Sequence, residues 1–145
     1  MYRIIEKKST TVNLTDDFLP YLISTYDVYY SENGILAKTA SKLCQTCKTE
    51  WDKVFTLKNY VSLRINYDNN LATQISNKFI TTYIPSPLNV WYNKKGICYD
   101  IASLFAAMCR TQNIPCRIKK GYINNTYHAW NEVYVDGEWY SIDVK

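Results

Sequence analysis

Mostly apolar side chains recur with helical spacing in two stretches of the first half of the chain. The first stripe consists of Ile35, Leu36, Thr39, Ala40 and Leu43. The second consists of Trp51, Val54, Phe55, Tyr60 and Val61. Spacings of three and four residues place such side chains on one face of a helix. The pattern therefore predicts two consecutive helices, over residues 35–43 and 51–65, after a turn at Asn33-Gly34.

A third helical stripe lies in the second half of the chain. It consists of Ile101, Leu104, Phe105 and Met108, at i, i+3, i+4 and i+7. This spacing predicts a helix over residues 98–110, whose negative C-terminal end suits Arg110. The proline of Asn113-Ile114-Pro115 ends that helix. Ile84-Pro85-Ser86-Pro87 predicts a loop, because each proline restricts the residue before it and lacks a backbone donor.

Strand-like alternation replaces the helical period near the C-terminus. Three segments show it, at residues 116–122, 128–135 and 138–144. Asp136-Gly137 separates the last two and is a strong signal for a two-residue hairpin turn. Helices come first and strands afterwards, so the pattern predicts an α+β domain with an antiparallel sheet on which the helix over residues 98–110 packs.

The predicted hairpin brings two polar side chains together. If Asp136 and Gly137 form the whole loop, Asp143 lies opposite Trp130, and His128 lies opposite Lys145. Side chains alternate along a strand, so His128 and Asp143 share a face as diagonal neighbours, roughly 5.5 to 8 Å apart between backbones. A three-residue loop would instead turn Asp143 to the opposite face.

Cys98 begins the helix that must cover this sheet. The unpaired N–H groups and partial positive charge at a helix N-terminus are expected to lower the thiol pKa and to hold an oxyanion. Gly96 permits close backbone approach just before it. Cys98, His128 and Asp143 thus predict a catalytic triad in which a thiol, an imidazole and a carboxylate act together. His128 is the only histidine, so no other residue competes for its role.

Each of these residues also has a structural interpretation when it is taken alone. A cysteine at a helix start is more often buried packing, and a strand histidine is more often hydrogen-bonded than reactive. Cys44-Gln45-Thr46-Cys47 has the spacing of a zinc or redox pair, but no second pair follows, which favours structural cysteines. The sequence therefore predicts no metal site and no cofactor.

Composition restricts the remaining classes. The chain has 145 residues, 47% of them hydrophobic and 21% charged, which fits a single globular domain. Its net charge of +4 is not gathered into a basic stripe, so nucleic acid is not an expected partner. Five cysteines without a disulfide-like spacing favour a reduced compartment or a fragment without its leader. No apolar run is long enough for a membrane span or a signal peptide.

Residues 1–34 are expected to form an extension packed on a core of residues 35–145. Short β-favouring runs occur in it at residues 2–5 and 26–30. The location of the protein stays open between two alternatives. It is cytoplasmic if Met1 is the native start, and secreted or envelope-associated if a leader has been removed.

Five sequence blocks together resemble the transglutaminase-like superfamily, and in particular its bacterial cysteine-protease domains. They are residues 96–104 (GICYDIASL), 114–117 (IPCR), 121–122 (GY), 128–133 (HAWNEV) and 139–143 (WYSID). The segment Ile65-Asn66-Tyr67-Asp68 also looks like the family's approach to its core, so the resemblance covers roughly residues 35–143. Val144 stands where the family usually has proline, which predicts a missing sheet edge and a fragment of a longer, multidomain protein.

The resemblance implies a papain-like core in which Cys98 is the nucleophile, His128 the base and Asp143 the residue that orients the base. It implies acyl transfer on a peptide or protein substrate through a thioester, most often by hydrolysis. The backbone N–H of Cys98 is one expected oxyanion donor. Further candidates for oxyanion or substrate binding are Trp91, Asn93, Tyr67 and Trp130.

Two other functions stay open on the sequence. One is a protein-glutamine transglutaminase or deamidase, which differs in the group that resolves the thioester or in the amide that is attacked. The other is a catalytically silent peptide-binding module. Its predicted aromatic groove would consist of Trp91, Tyr92, Trp130 and Trp139.

Overall fold

The structure, a computed structural model, describes residues 17–77 and 82–145. The β-favouring run predicted at residues 2–5 lies outside the described residues. After a short 3₁₀-helix over Leu19–Tyr21, the chain forms the helices α1 (Ile35–Cys44), α2 (Glu50–Arg64), α3 (Asn69–Ser76), α4 (Pro87–Asn93) and α5 (Cys98–Thr111). The strands are β1 (Asn66–Tyr67), β2 (Lys95–Gly96), β3 (Cys116–Ile123), β4 (Thr126–Val135) and β5 (Glu138–Ile142).

The three C-terminal strands form an antiparallel sheet in the order β3-β4-β5. Strand β1 pairs in parallel with β2 in a separate two-stranded ribbon, with Tyr67 opposite Gly96. The three predicted helices and the predicted sheet are confirmed, with ends that differ by one or two residues. The α+β class is therefore confirmed as well.

Two helices were not predicted, although both carry start signals. Asp68 precedes α3, and its carboxylate accepts a hydrogen bond from the N–H of Leu71. Ser86 precedes α4 and accepts from the N–H of Asn89, while Pro87 occupies the first helical position. Proline is favourable there because its missing N–H would be unpaired anyway. The loop predicted over 84–87 is therefore wrong at its last residue, where a helix begins.

Residues 17–34 pack on the core without forming the strand predicted over residues 26–30. Only an isolated bridge joins Thr25 and Val28. Arg110, near the end of α5, donates to the carbonyl oxygen of Ile23 and to the Thr25 hydroxyl. Val28 is completely buried in the main core. Buried hydrogen bonds thus join this segment to the central helix.

Helix α5 is the centre of the domain. Every residue from Tyr99 to Arg110 is buried, and α1, α2, α4 and the sheet all contact it. Helix α2 begins at a capping box in which Thr49 accepts from the N–H of Asp52. A helix surrounded on all sides holds its first residue in a fixed position, because close-packed interiors leave little room for movement.

None of the helices in the described part of the chain combines the length and the apolar character that crossing a lipid bilayer requires.

Candidate active site

The turn between β4 and β5 sets the register of the site. Asp136 and Gly137 have φ angles of 53° and 88°, as expected for a two-residue hairpin turn of the primed type. Val135 pairs with Glu138, and Asn131 pairs with Ile142. The predicted register is confirmed, and its continuation places Asp143 opposite Trp130.

His128 and Asp143 form a direct hydrogen bond. The ring Nε2 of His128 lies 2.9 Å from Oδ2 of Asp143. The histidine side chain is 23% exposed and the aspartate side chain 56% exposed, so solvent reaches the pair. Because Nε2 is engaged by the carboxylate, Nδ1 is the ring nitrogen left to exchange a proton with a reacting group.

Trp130 supports the imidazole from the same face of β4. Its ring lies nearly parallel to that of His128, with centroids 5.9 Å apart and an interplanar angle of 20°. Gly121 lies on the neighbouring strand β3, and a Cβ atom added there would lie 3.4 Å from the Trp130 ring. Trp130, predicted from the sequence as a substrate or oxyanion residue, therefore stacks on the ring of His128, and its role stays a prediction.

Cys98 is the first residue of α5 and lies half-buried against β4. The backbone N–H groups of Ala129, Tyr99 and Cys98 itself interact with its sulfur. Ala129 directly follows His128 on β4, so the thiol lies against the strand that carries the histidine. Cys98, Trp130 and Asp143 also line one small cavity.

Burial raises the pKa of the Cys98 thiol above its ordinary value. The three N–H groups act in the opposite direction and offset only part of this effect, while the Asp100 carboxylate adds to the increase. The N–H groups at the helix start therefore act in the expected direction, but burial outweighs them. Desolvation penalises the thiolate more than the N–H groups stabilise it.

The raised pKa of Cys98 predicts how the rate of its alkylation by a neutral electrophile, such as chloroacetamide, depends on pH. A raised pKa keeps the thiol protonated at neutral pH, so the rate at Cys98 should rise with pH through a midpoint above 9.0, the ordinary value. Peptide mapping by mass spectrometry would measure the rate at Cys98 separately from that at Cys47. A rate that is already constant between about pH 6 and 8 would contradict the prediction and indicate a preformed thiolate.

Asp100 fixes the first turn of α5. Its Oδ2 accepts from the N–H of Ile97 at 2.9 Å, and its Oδ1 accepts from the Tyr83 hydroxyl at 2.6 Å. Burial raises the pKa of this carboxyl, and the two donors partly offset the effect. A Cβ at Gly96 would lie only 2.5 Å from the Cβ of Asp100. The close approach predicted for Gly96 is confirmed, and its partner is the helix that begins with Cys98.

Asn131 joins the nucleophile helix to the histidine strand, and sequence reasoning did not assign it a role. Its side chain is fully buried, and its Nδ2 donates to the carbonyl oxygen of Ala102 in α5 at 2.9 Å. A signal for it was present, because Asn131 has the same strand parity as the buried residues Ala129 and Val133. A polar residue at a core-facing position needs a partner, and here the partner is α5.

Asp27 is a second residue that the sequence did not identify. Its carboxylate accepts a hydrogen bond of 2.8 Å from the hydroxyl of Tyr99, the residue after Cys98. Lys120 lies on β3, and its ammonium is 3.9 Å from the centroid of the Tyr99 ring. Residues from the N-terminal segment and from the sheet therefore hold the first turn of α5 between them.

Tyr67 is an oxyanion candidate that lies beside Cys98. Its strand partner is Gly96, and its hydroxyl lies beside the backbone N–H of Cys98. Burial raises the pKa of Tyr67, and the nearby Cys98 thiol adds to this effect. The hydroxyl therefore stays protonated near neutral pH and is able to donate a hydrogen bond.

Trp91 and Asn93 do not lie beside the thiol. The Trp91 indole donates to the Tyr60 hydroxyl at 2.9 Å, and the Arg64 guanidinium lies 4.3 Å from its ring. Asn93 lines a different cavity, together with Asp68 and Lys95. Helix α4 thus directs Trp91 toward α2 and Asn93 toward the proline loop, and their roles in oxyanion or substrate binding stay predictions.

The aromatic groove predicted around Trp91, Tyr92, Trp130 and Trp139 is not formed. Trp139 instead packs with Phe18, Tyr21 and Tyr134 on the outer face of the sheet. A different groove opens at the thiol and has a volume of about 420 Å³. We call it the Cys98 groove, and it is lined by Tyr67, Ala72, Ile75, Ser76, Ile97, Cys98, Tyr122, Thr126 and Tyr127.

No three metal-ligating side chains lie together within residues 17–77 and 82–145. The cysteines are all unpaired thiols. Cys109 and Cys116 are completely buried, and Cys47 is half-buried beside the Thr56 hydroxyl. Cys98 is therefore a partly exposed thiol that lines both the Cys98 groove and a small cavity shared with Asp143.

The sequence profile of the transglutaminase-like superfamily matches residues 37–144. The chain belongs to this superfamily. The matched span contains α5, the three-stranded sheet and the His128–Asp143 pair, so the predicted family is confirmed. Residues 17–34, which hold α5 through Asp27, precede the matched span.

Relatives with the same fold are longer than this chain. Human kyphoscoliosis peptidase is 26% identical over 132 residues, which cover 81% of this chain and 19% of that protein. A provisionally assigned cysteine protease of Cytophaga hutchinsonii is 26% identical with a TM-score of 0.72, over 92% of this chain and 45% of its own. The periplasmic domain of TgpA from Pseudomonas aeruginosa shares the fold, with a TM-score of 0.63 at 18% identity over 89% of this chain and 46% of its own.

Proposed function

We propose that this domain hydrolyses peptide or protein amides through a thioester on Cys98. The observation that carries the proposal is the position of the thiol. It lies at the start of a fixed helix and against the N–H of Ala129, and it lines one small cavity with Asp143, whose carboxylate holds Nε2 of His128. Two of the relatives, a peptidase and a provisionally assigned protease, are named for hydrolysis of peptide bonds.

The first half of the reaction forms the acyl-enzyme. Sγ of Cys98 attacks the amide carbonyl carbon while Nδ1 of His128 takes the thiol proton. The tetrahedral intermediate collapses when the C–N bond breaks, and His128 gives the same proton to the leaving amine. The raised pKa of the thiol makes His128 necessary, because the resting thiol is neutral and needs a base as it attacks.

The second half returns the free enzyme. A water molecule, deprotonated by His128, attacks the thioester carbonyl, the S–C bond breaks, and the thiolate regains its proton from the imidazolium. Asp143 holds the ring through Nε2 in both halves. The backbone N–H of Cys98 and the hydroxyl of Tyr67 are the proposed oxyanion donors, because the two groups lie side by side at the groove.

Trapping of the acyl-enzyme tests the proposal directly. With the p-nitrophenyl ester of N-acetylglycine, we expect one acyl group per chain, located on Cys98 by peptide mapping and removed by hydroxylamine. Cys47, the other thiol that is not fully buried, is the internal control. Acylation of Cys47 at the same rate, or no acylation of Cys98, would contradict the proposal, since ester reactivity would then not depend on the site.

A further inference from the structure

The Cys98 groove has an apolar, uncharged lining. None of its nine described lining residues is charged, and three of them are the tyrosines 67, 122 and 127. Its volume of about 420 Å³ falls within the range of pockets that bind small ligands. Bringing a charged side chain into such surroundings costs free energy, because no opposite charge compensates for lost hydration.

The walls of the groove come from two separate parts of the fold. Ala72 and Ile75 in α3 form one wall, packed against the small cluster that contains Ile97 and Ala129. The tip of the β3–β4 hairpin forms the other wall, with Tyr122 and Tyr127 edge to face at 5.6 Å. The Asn124-Asn125 turn, with φ angles of 51° and 66°, keeps this hairpin tight up to its tip.

The position of the groove relative to the reacting groups shows which part of a substrate it would hold. Tyr67 and Cys98 line it, whereas His128 and Asp143 do not. In the proposed reaction, the leaving amine receives its proton from His128 and so departs on the histidine side. The acyl part stays bonded to Cys98, on the side of Tyr67 and the groove.

From these observations we infer that the Cys98 groove selects substrates with an aromatic or large aliphatic side chain on the acyl side of the scissile amide. The inference rests on the proposed function and names the substrate class for it. The selected side chain belongs to one of the two residues before the scissile bond. Burial also raises the pKa values of Tyr67 and Tyr127, which agrees with a groove that disfavours charge.

The test uses coumarylamide peptides with two residues on the acyl side, each varied in turn among Phe, Leu, Gly, Asp and Lys. At the selecting position we expect kcat/KM for Phe to exceed that for Asp or Lys by at least about 100-fold, and that for Gly by about 10-fold or more. Equal kcat/KM values for Phe, Asp and Lys, within about 3-fold at both positions, would overturn the inference.

A variant that fills the groove sharpens the test. Ala72→Phe should lower kcat/KM for the Phe peptide by about 10-fold or more and change that for the Gly peptide by less than about 2-fold. Thr73→Phe is the matched control, because Thr73 is exposed on the same helix and does not line the groove. A uniform loss on both peptides, or no loss on either, would overturn the inference.

A second variant keeps the inference testable if Ala72→Phe does not fold. Tyr122 is 76% exposed, so Tyr122→Ala should fold normally and reduce the preference for Phe over Gly by about 3-fold or more. Tyr92→Ala is its control, since Tyr92 is also exposed but lies outside the groove. An unchanged preference in Tyr122→Ala would overturn the inference.

Acylation of Cys98 by the small N-acetylglycine ester separates the two proposals. If that ester acylates Cys98 and the peptides show no preference, only the substrate class is wrong. If Cys98 is not acylated at all, both proposals fail together.

Discussion

Replacing Cys98 with serine lowers kcat/KM for amide hydrolysis by at least about 10⁴-fold. The serine hydroxyl occupies nearly the same space but ionises far less readily, and the burial that already raises the thiol pKa would disfavour an alkoxide still more. The measurement is the release of coumarin from a Phe-containing peptide, with active enzyme counted beforehand by ester acylation of the wild type.

The matched control for this substitution is Cys47→Ser. Cys47 is a half-buried free thiol that contacts the Thr56 hydroxyl and lies in the connection between α1 and α2. We expect its kcat/KM to stay within about 2-fold of the wild type, as for substitutions away from a site. Full activity in Cys98→Ser, or equal losses in the two variants, would show that Cys98 is not the nucleophile.

Replacing His128 with alanine should lower kcat by about 10⁴-fold and leave the free energy of unfolding within about 2 kcal/mol. The reason for the first effect is that no other imidazole exists in the chain to take the thiol proton. The free energy of unfolding changes little because the His128–Asp143 pair is open to solvent. The partner carboxylate of Asp143 is 56% exposed, and an ion pair open to water contributes little to stability.

Added imidazole gives a readout that a purely structural role would not produce. If His128 moves protons, imidazole in solution should restore part of the activity of His128→Ala, because the space left by the ring is open to solvent. The same addition should not restore Cys98→Ser. Urea unfolding would measure stability in parallel. Loss of folding in His128→Ala, without rescue, would identify His128 as a structural residue.

The hairpin at Asp136-Gly137 shows how much of the site local sequence determines. Two residues that tolerate positive φ define the loop, the loop defines the register, and the register brings His128 to Asp143. Each step depends on short-range rules with a period of two, so the pairing could be predicted before any tertiary contact was known. The helix that begins at Cys98 was predictable for the same reason, from its apolar period.

The positions of the oxyanion and substrate candidates relative to the thiol could not be predicted in this way. Trp91 and Asn93 are close to Cys98 along the chain, yet α4 directs them to Arg64 and to a separate cavity. Tyr67 is distant in sequence and reaches the thiol because β1 pairs with β2. Strands of two residues carry almost no periodic signal, so their pairing is decided by how α2, α4 and α5 pack.

The net pKa of the thiol is a further property that sequence alone does not determine. A helix start implies N–H groups that stabilise a thiolate, and those groups are present around Cys98. How deeply the sulfur is buried depends on the sheet, on α3 and on the N-terminal segment that reaches Tyr99 through Asp27. Desolvation depends on everything that surrounds the group, which local sequence does not specify.

The amino-acid sequence by itself determined the helices over α1, α2 and α5, the three-stranded sheet, the superfamily and the pairing of His128 with Asp143. These all follow from periodicity, turn chemistry and motifs that act over a few residues. Only the tertiary structure decided where the Cys98 groove lies, which aromatic residues line it and how burial shifts the pKa of the thiol. Those properties arise where segments far apart in the chain meet, and their contacts exist only after the core has packed around α5.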